Sequence, residues 1–111
     1  MLYHLTKVKN LKVLTAKIPE TCVSGYEDEN QKRVCFSPSI DKCLSALQGD
    51  IGLYYVYIPL KNEKELNLHK ATNEEVFDSF ITDEIWSLEN TEVKCIGIIK
   101  NDGIITKEKF E

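Results

Sequence analysis

The stretch RVCFSPSIDKCLSALQG, residues 33–49, decides the fold, because it predicts a strand, a sharp corner and one amphipathic helix. Residues 34–36 are strand formers with no breaker among them. Ser37 can cap a helix with its hydroxyl, and Pro38 suits the first helical position, where a missing N–H has no consequence. The apolar side chains that follow have the i, i+3, i+4, i+7 spacing of one helical face: Ile40, Cys43, Leu44 and Leu47.

This predicted helix, from about Pro38 to Gln48, must bury its apolar face against a sheet. The polar corner before it, residues 37–39, then lies at a strand end and a helix N-terminus. Free N–H groups at such a place favour an anion or a small ligand. The alternative is a capped helix that binds nothing there, and these residues alone favour that alternative.

The rest of the chain predicts mostly short strands. Residues 53–60, LYYVYIPL, are apolar on both faces, which is typical of a central strand. A second helix is predicted over residues 73–80. Further strands are expected at residues 1–5, 11–14, 66–69, 81–88, 93–100 and 104–107, the last two as a hairpin around an Asn-Asp-Gly turn. The class is therefore α+β, with mostly antiparallel pairing and about two helices.

Length and composition indicate one domain over residues 1–111. The apolar fraction of 42% and the charged fraction of 29% are ordinary for a globular protein. A formal net charge of −4 disfavours sequence-blind nucleic-acid binding, although a local basic patch could still bind a nucleic acid. No apolar run is long enough to span a membrane, and the first residues lack the apolar core of a signal peptide. We therefore expect a cytoplasmic protein with no membrane partner.

The four cysteines form no CxxC pair, and their spacing does not fit a standard zinc site. In a reducing compartment they should be thiols. Cys35, Cys43 and Cys95 lie in apolar patterns and are interpreted as small core residues, whereas Cys22 lies in a polar loop. The acidic run at residues 27–29 is interpreted as part of a solvated loop, so no metal site is predicted.

Standard catalytic motifs are absent from the sequence. There is no GxSxG nucleophile motif, no glycine-rich phosphate loop and no HExxH pair. The two histidines, His4 and His69, each stand alone in strand-like segments, where a packed or surface role is the usual one.

Three short motifs, taken in order along the chain, resemble the small ADP-ribosyltransferase-like domains. They are YHLT at residues 3–6, VCFSPS at residues 34–39 and TDEIWSL at residues 82–88. In that family a first-strand histidine holds the ribose of NAD, a later strand enters a helix beside the nicotinamide, and a late acidic residue polarises the other ribose. The resemblance implies an α+β fold of two small sheets with a cleft between them. It also fits the compact phage-encoded members that inactivate host defence proteins.

The resemblance implies NAD as the cofactor and a macromolecule as the partner that is modified, with a protein favoured over a nucleic acid. The implied NAD-binding residues are His4, Thr6, Phe36, Ser37 and Ser39, and the implied catalytic acid is Glu84. Phe36 would stack on the nicotinamide, and Glu84 would accept a hydrogen bond from a ribose hydroxyl.

The sequence departs from the family pattern at two places, and it offers two candidates for the acid. Leu5 stands where a glycine or another small residue is usual. The usual pocket tyrosine corresponds to Cys35 or Phe36, neither of which has a phenolic hydroxyl. The acid is Asp83 or Glu84, and Glu84 is preferred because it directly precedes Ile85 and Trp86.

Two other functions compete with this enzyme. One is a binding or inhibitor module of α+β fold that acts through its surface, for which the acidic loop at residues 27–30 would suit a basic groove. The other is a relative of the RNA 2′-phosphotransferases. That reaction needs several basic residues to hold phosphates, and the sequence identifies no such set.

Overall fold

Seven strands and one α-helix are present in the part of the chain that the computed structural model describes, residues 1–18, 31–46, 51–72, 75 and 83–101. The helix α1 and a short 3-10 helix lie at Ile40–Ala46 and Glu63–Glu65. The strands are β1 (His4–Thr6), β2 (Val13–Leu14), β3 (Val34–Phe36), β4 (Gly52–Pro59), β5 (Leu68–Lys70), β6 (Ile85–Ser87) and β7 (Thr91–Asn101).

The strands form two antiparallel sheets. The larger sheet has the order β1-β4-β7-β2, and the smaller one has the order β3-β6-β5. The fold is therefore α+β, with antiparallel strands in two sheets and one helix. The helix predicted over residues 73–80 and the hairpin strand over 104–107 lie outside the described residues, apart from Glu75.

The larger sheet is covered on both faces. On one face α1 packs Ile40 and Leu44 against Tyr54, Val56 and Ile99. On the other face the smaller sheet closes a second core, which contains Leu2, Leu14, Val34, Phe36, Tyr57 and Val93. This arrangement follows from strand alternation, since neighbouring residues of β4 must face opposite layers.

The central position of β4 is confirmed, because it pairs with β1 on one side and β7 on the other. The buried Tyr57 hydroxyl donates to the Val8 carbonyl at 2.9 Å and accepts from the Leu11 N–H at 3.2 Å. The prediction that both faces are covered along the whole strand is wrong at its start. Leu53 shares a face with Tyr57 but is 57% exposed.

The helix starts two residues later than predicted, and its cap is Ser39 instead of Ser37. The Ser39 hydroxyl accepts the N–H of Lys42 at 3.2 Å, and the Ser39 carbonyl accepts the N–H of Cys43 at 3.1 Å. Ser37 cannot take this role because its own N–H and C=O bond to Tyr3. Ser39 therefore binds the N–H groups of Lys42 and Cys43 in the first turn of the helix.

Replacing Leu44 with alanine should lower the free energy of unfolding by about 2–5 kcal/mol. Leu44 is only 4% exposed and belongs to the core between α1 and the larger sheet. Urea unfolding of the variant measures the loss. The matched control is Leu53→Ala, at the exposed start of β4. This substitution should change the free energy of unfolding by no more than about 0.5 kcal/mol. Equal effects of the two substitutions would contradict the burial of α1.

Cys95 is exposed, so its assignment to the core was wrong. β2 pairs only with Thr91 and Glu92 of β7. Cys95 lies beyond that pairing and next to an irregularity in the register with β4, and this explains why its side chain reaches solvent. Cys43 is buried, as predicted, and Cys35 is half-buried.

Candidate functional site

The candidate site lies where β1 and β3 meet and then separate. Tyr3 and Ser37 exchange two backbone hydrogen bonds of 2.9 Å, and this pair is an isolated bridge. In a continuous antiparallel ladder the next such pair would be Leu5 and Cys35. The Cys35 carbonyl instead accepts a hydrogen bond of 2.7 Å from Nδ1 of His4. The imidazole thus takes the place of a backbone donor at the point where the two sheets part.

His4 is held in one tautomer by this bond. A carbonyl oxygen can only accept, so Nδ1 carries the proton. Burial lowers the pKa of His4, against the opposing effect of its bond to the Cys35 carbonyl. The ring also packs edge-on to Phe36, with centroids 6.0 Å apart. A neutral His4 therefore presents a lone pair on Nε2, which can accept a hydrogen bond.

The lowered pKa of His4 predicts that the protein loses stability as the pH falls. Below the unfolded pKa of about 6.5, the unfolded chain binds a proton at His4 that the folded chain does not bind. The free energy of unfolding should therefore fall through this range and level off below the folded pKa. Urea unfolding at about pH 7.5 and pH 5.5 measures it.

The control for this pH dependence is His4→Asn, which keeps a donor for the Cys35 carbonyl but does not titrate. The variant should lose less stability than the wild type between the two pH values, since His69 is common to both proteins. An identical pH dependence in the two proteins would contradict the assignment to His4.

Cys35 lies near the acid Glu84. Burial, reinforced by the negative charge of the Glu84 carboxylate and opposed by Arg33, raises the pKa of Cys35 well above the usual value. Glu84 accepts the indole N–H of Trp86 at 2.7 Å. Because Cys35 pairs with Trp86 across β3 and β6, the strand register brings these three side chains to one face of the smaller sheet.

The structure distinguishes Asp83 from Glu84. Asp83 accepts hydrogen bonds from Lys42 at 3.0 Å and from Lys70 at 3.3 Å, and these bonds lower its pKa. Its backbone has a positive φ of 48°, a conformation that Asp and Asn tolerate better than most residues. Asp83 is thus bound by two ammonium groups, whereas Glu84 is the acid that accepts the Trp86 indole N–H.

The other predicted site residues lie apart from this contact. Phe36 is 1% exposed and contributes to the core between the sheets, so in this conformation its ring offers no face to a nicotinamide. Ser37 is buried, and its backbone N–H and C=O bond to Tyr3. Ser39 caps α1, and Thr6 accepts the N–H of Val8 at 3.3 Å. Leu5 packs on the helix side of the larger sheet.

A layered cluster around Trp86 was not predicted from the sequence. The Arg33 guanidinium lies 4.1 Å from the centre of the indole, and the His69 ring lies 5.4 Å from it. His69 Nε2 in turn contacts both oxygens of Glu75, at 2.7 and 2.9 Å. Cys35, Trp86 and His69 are cross-strand neighbours in β3, β6 and β5, and no local sequence pattern indicates this pairing.

Neither a metal centre nor a membrane span is found in the described ranges. No three His, Cys, Asp or Glu side chains there are grouped to hold a metal ion, and no helix there has the length and apolarity needed to cross a membrane. Comparison of the chain with protein-family models, with curated proteins and with solved structures gives no significant match.

Proposed function

We propose that this protein binds NAD where β1, β3 and β6 meet and transfers ADP-ribose to a partner macromolecule, as an ADP-ribosyltransferase-like enzyme. The observation that carries the proposal is the position of Cys35. Its carbonyl accepts the Nδ1–H of His4, and it pairs across β3 and β6 with Trp86, whose indole N–H bonds to Glu84. Two residues from distant parts of the chain, each expected to contact a ribose, are thereby connected through β3. Such convergence of polar groups supports a binding site.

His4 would hold a ribose of NAD. Its Nδ1 proton is committed to the Cys35 carbonyl, which leaves Nε2 free of a proton. A ribose hydroxyl can donate to that nitrogen. The lowered pKa of His4 keeps this acceptor available at neutral pH.

Glu84 would act on the ribose that carries the nicotinamide. The Trp86 indole N–H fixes one carboxylate oxygen at 2.7 Å, so the orientation of the group is set before substrate arrives. As the bond between C1′ and the nicotinamide nitrogen breaks, its electron pair leaves with nicotinamide, and positive charge develops on the ribose. A preorganised carboxylate stabilises that charge mainly in the transition state.

The reaction is completed by a nucleophilic side chain of the partner. Its lone pair forms the new bond to C1′, and its proton passes to solvent. The partner would be a protein, as in the phage-type members that inactivate host defence proteins. Because Phe36 faces the core, Cys35 is the residue of β3 that lies on the same face as Glu84. Cys35 would therefore replace Phe36 as the residue that lines the nicotinamide side of the pocket.

A thermal-shift titration with NAD tests the proposal. NAD that binds only the folded state should raise the melting temperature progressively up to millimolar concentration. His4→Ala should reduce the shift because it removes the ribose acceptor. No shift with the wild-type protein at millimolar NAD would contradict NAD binding and favour the non-catalytic binding or inhibitor module.

A further inference from the structure

We infer that Lys42 and Lys70 form a binding site for the diphosphate of a dinucleotide, and that the Asp83 carboxylate occupies this site in the free protein. The inference rests on the proposed function for the identity of the ligand. The site itself follows from the positions of the three side chains.

The two lysines reach Asp83 from different elements. Lys42 of α1 places its Nζ 3.0 Å from one carboxylate oxygen, and Lys70 of β5 places its Nζ 3.3 Å from the other. The pair of ammonium groups thus spans two oxygens bonded to one central atom. Two oxygens of a phosphate have a comparable arrangement, and lysine binds phosphate as a point charge.

The position of this site suits NAD. Asp83 directly precedes Glu84, the acid placed beside the reacting ribose. In NAD that ribose is joined to the diphosphate through its 5′ carbon. A ligand with its ribose at Glu84 would have its diphosphate only a few bonds away from that ribose, and Lys42 and Lys70 bind the residue next to Glu84 in the chain.

The Asp83 carboxylate can be displaced at small cost. The side chains of Lys42, Lys70 and Asp83 are 36%, 67% and 33% exposed, so water and salt reach the ion pairs. Exposed ion pairs of this kind stabilise a protein little. A diphosphate carries more negative charge than one carboxylate, and it can take over both lysines while Asp83 turns towards solvent.

Asp83→Asn tests this competition directly. The substitution removes the competing charge, and asparagine tolerates the positive φ at this position. Isothermal titration with inorganic pyrophosphate and with ADP should show affinity about 2–5-fold tighter than for the wild type. The double variant Lys42→Gln/Lys70→Gln should bind roughly tenfold more weakly. The matched control is Lys94→Gln, at an exposed position of β7. This variant should bind pyrophosphate and ADP as the wild type does.

Unchanged or weaker binding by Asp83→Asn would overturn the inference, because a purely structural ion pair predicts no gain in affinity. Wild-type-like binding by the double lysine variant would overturn it as well. Two outcomes distinguish a failure of this site from a failure of the proposed function. If pyrophosphate binding follows the lysines but no nicotinamide is released, the diphosphate site stands and the transferase falls. If Glu84-dependent nicotinamide release is unaffected by all of these variants, the transferase stands and this site falls.

Discussion

Glu84→Gln should lower the rate of nicotinamide release by about 10²–10³-fold while leaving the affinity for NAD nearly unchanged. The glutamine carbonyl can still accept the Trp86 indole N–H, which glutamate accepts at 2.7 Å. The glutamine side chain therefore keeps the shape of glutamate and its hydrogen bond with Trp86. The variant loses the negative charge that would stabilise the cationic ribose, and this loss matters only in the transition state.

The measurement is nicotinamide release with the partner present, at saturating NAD. Glu92→Gln is the matched control, because it makes the same change at an exposed position of β7 next to β2. It should release nicotinamide at the wild-type rate. Equal rates for the wild type and Glu84→Gln would remove Glu84 from the mechanism, and a loss in both variants would show a general effect of charge.

Trp86→Ala should lower the free energy of unfolding by about 3–5 kcal/mol. The indole is fully buried, and the Arg33 guanidinium and the His69 ring lie 4.1 Å and 5.4 Å from its centre. Truncation would open a cavity in the smaller sheet and deprive the buried Arg33 of its aromatic contact. It would also remove the donor that orients Glu84.

Urea unfolding compares this variant with Trp86→Phe, which keeps an aromatic ring and loses mainly the indole N–H. Trp86→Phe should be clearly more stable than Trp86→Ala and should remain folded. It then also reports on the site, because a Glu84 that has lost its Trp86 bond should support slower nicotinamide release. A loss below about 1 kcal/mol for Trp86→Ala would contradict the central position of the indole in this layer.

Local patterns in the sequence were sufficient to predict individual elements. The strand at residues 34–36 and the apolar face of α1 follow from β-propensity and from a 3.6-residue period, both of which depend on neighbouring residues. The interior position of β4 follows from its apolar character on both faces. The start of the helix was missed because Ser37 and Ser39 are equally good caps, and only the pairing of Ser37 with Tyr3 decides between them.

The site was harder to predict because it depends on pairing between distant strands. Sequence alone could not tell which side chain of β3 faces the core, and burial of Phe36 assigns Cys35 to the side of Glu84. The distinction between Asp83 and Glu84 required the positions of Lys42 and Lys70. These contacts arise from topology, and a sequence without its fold does not contain them in any local pattern.

The most direct test of the central claim is an NMR titration of the wild-type protein with NAD, followed through its backbone amide signals. Binding where β1, β3 and β6 meet should shift the amides of His4, Cys35 and Glu84 and their immediate neighbours, and should leave the exposed end of β4 around Leu53 unchanged. Saturable shifts at the first three positions would be the predicted result. Shifts confined to other surfaces, or none at millimolar NAD, would contradict the account.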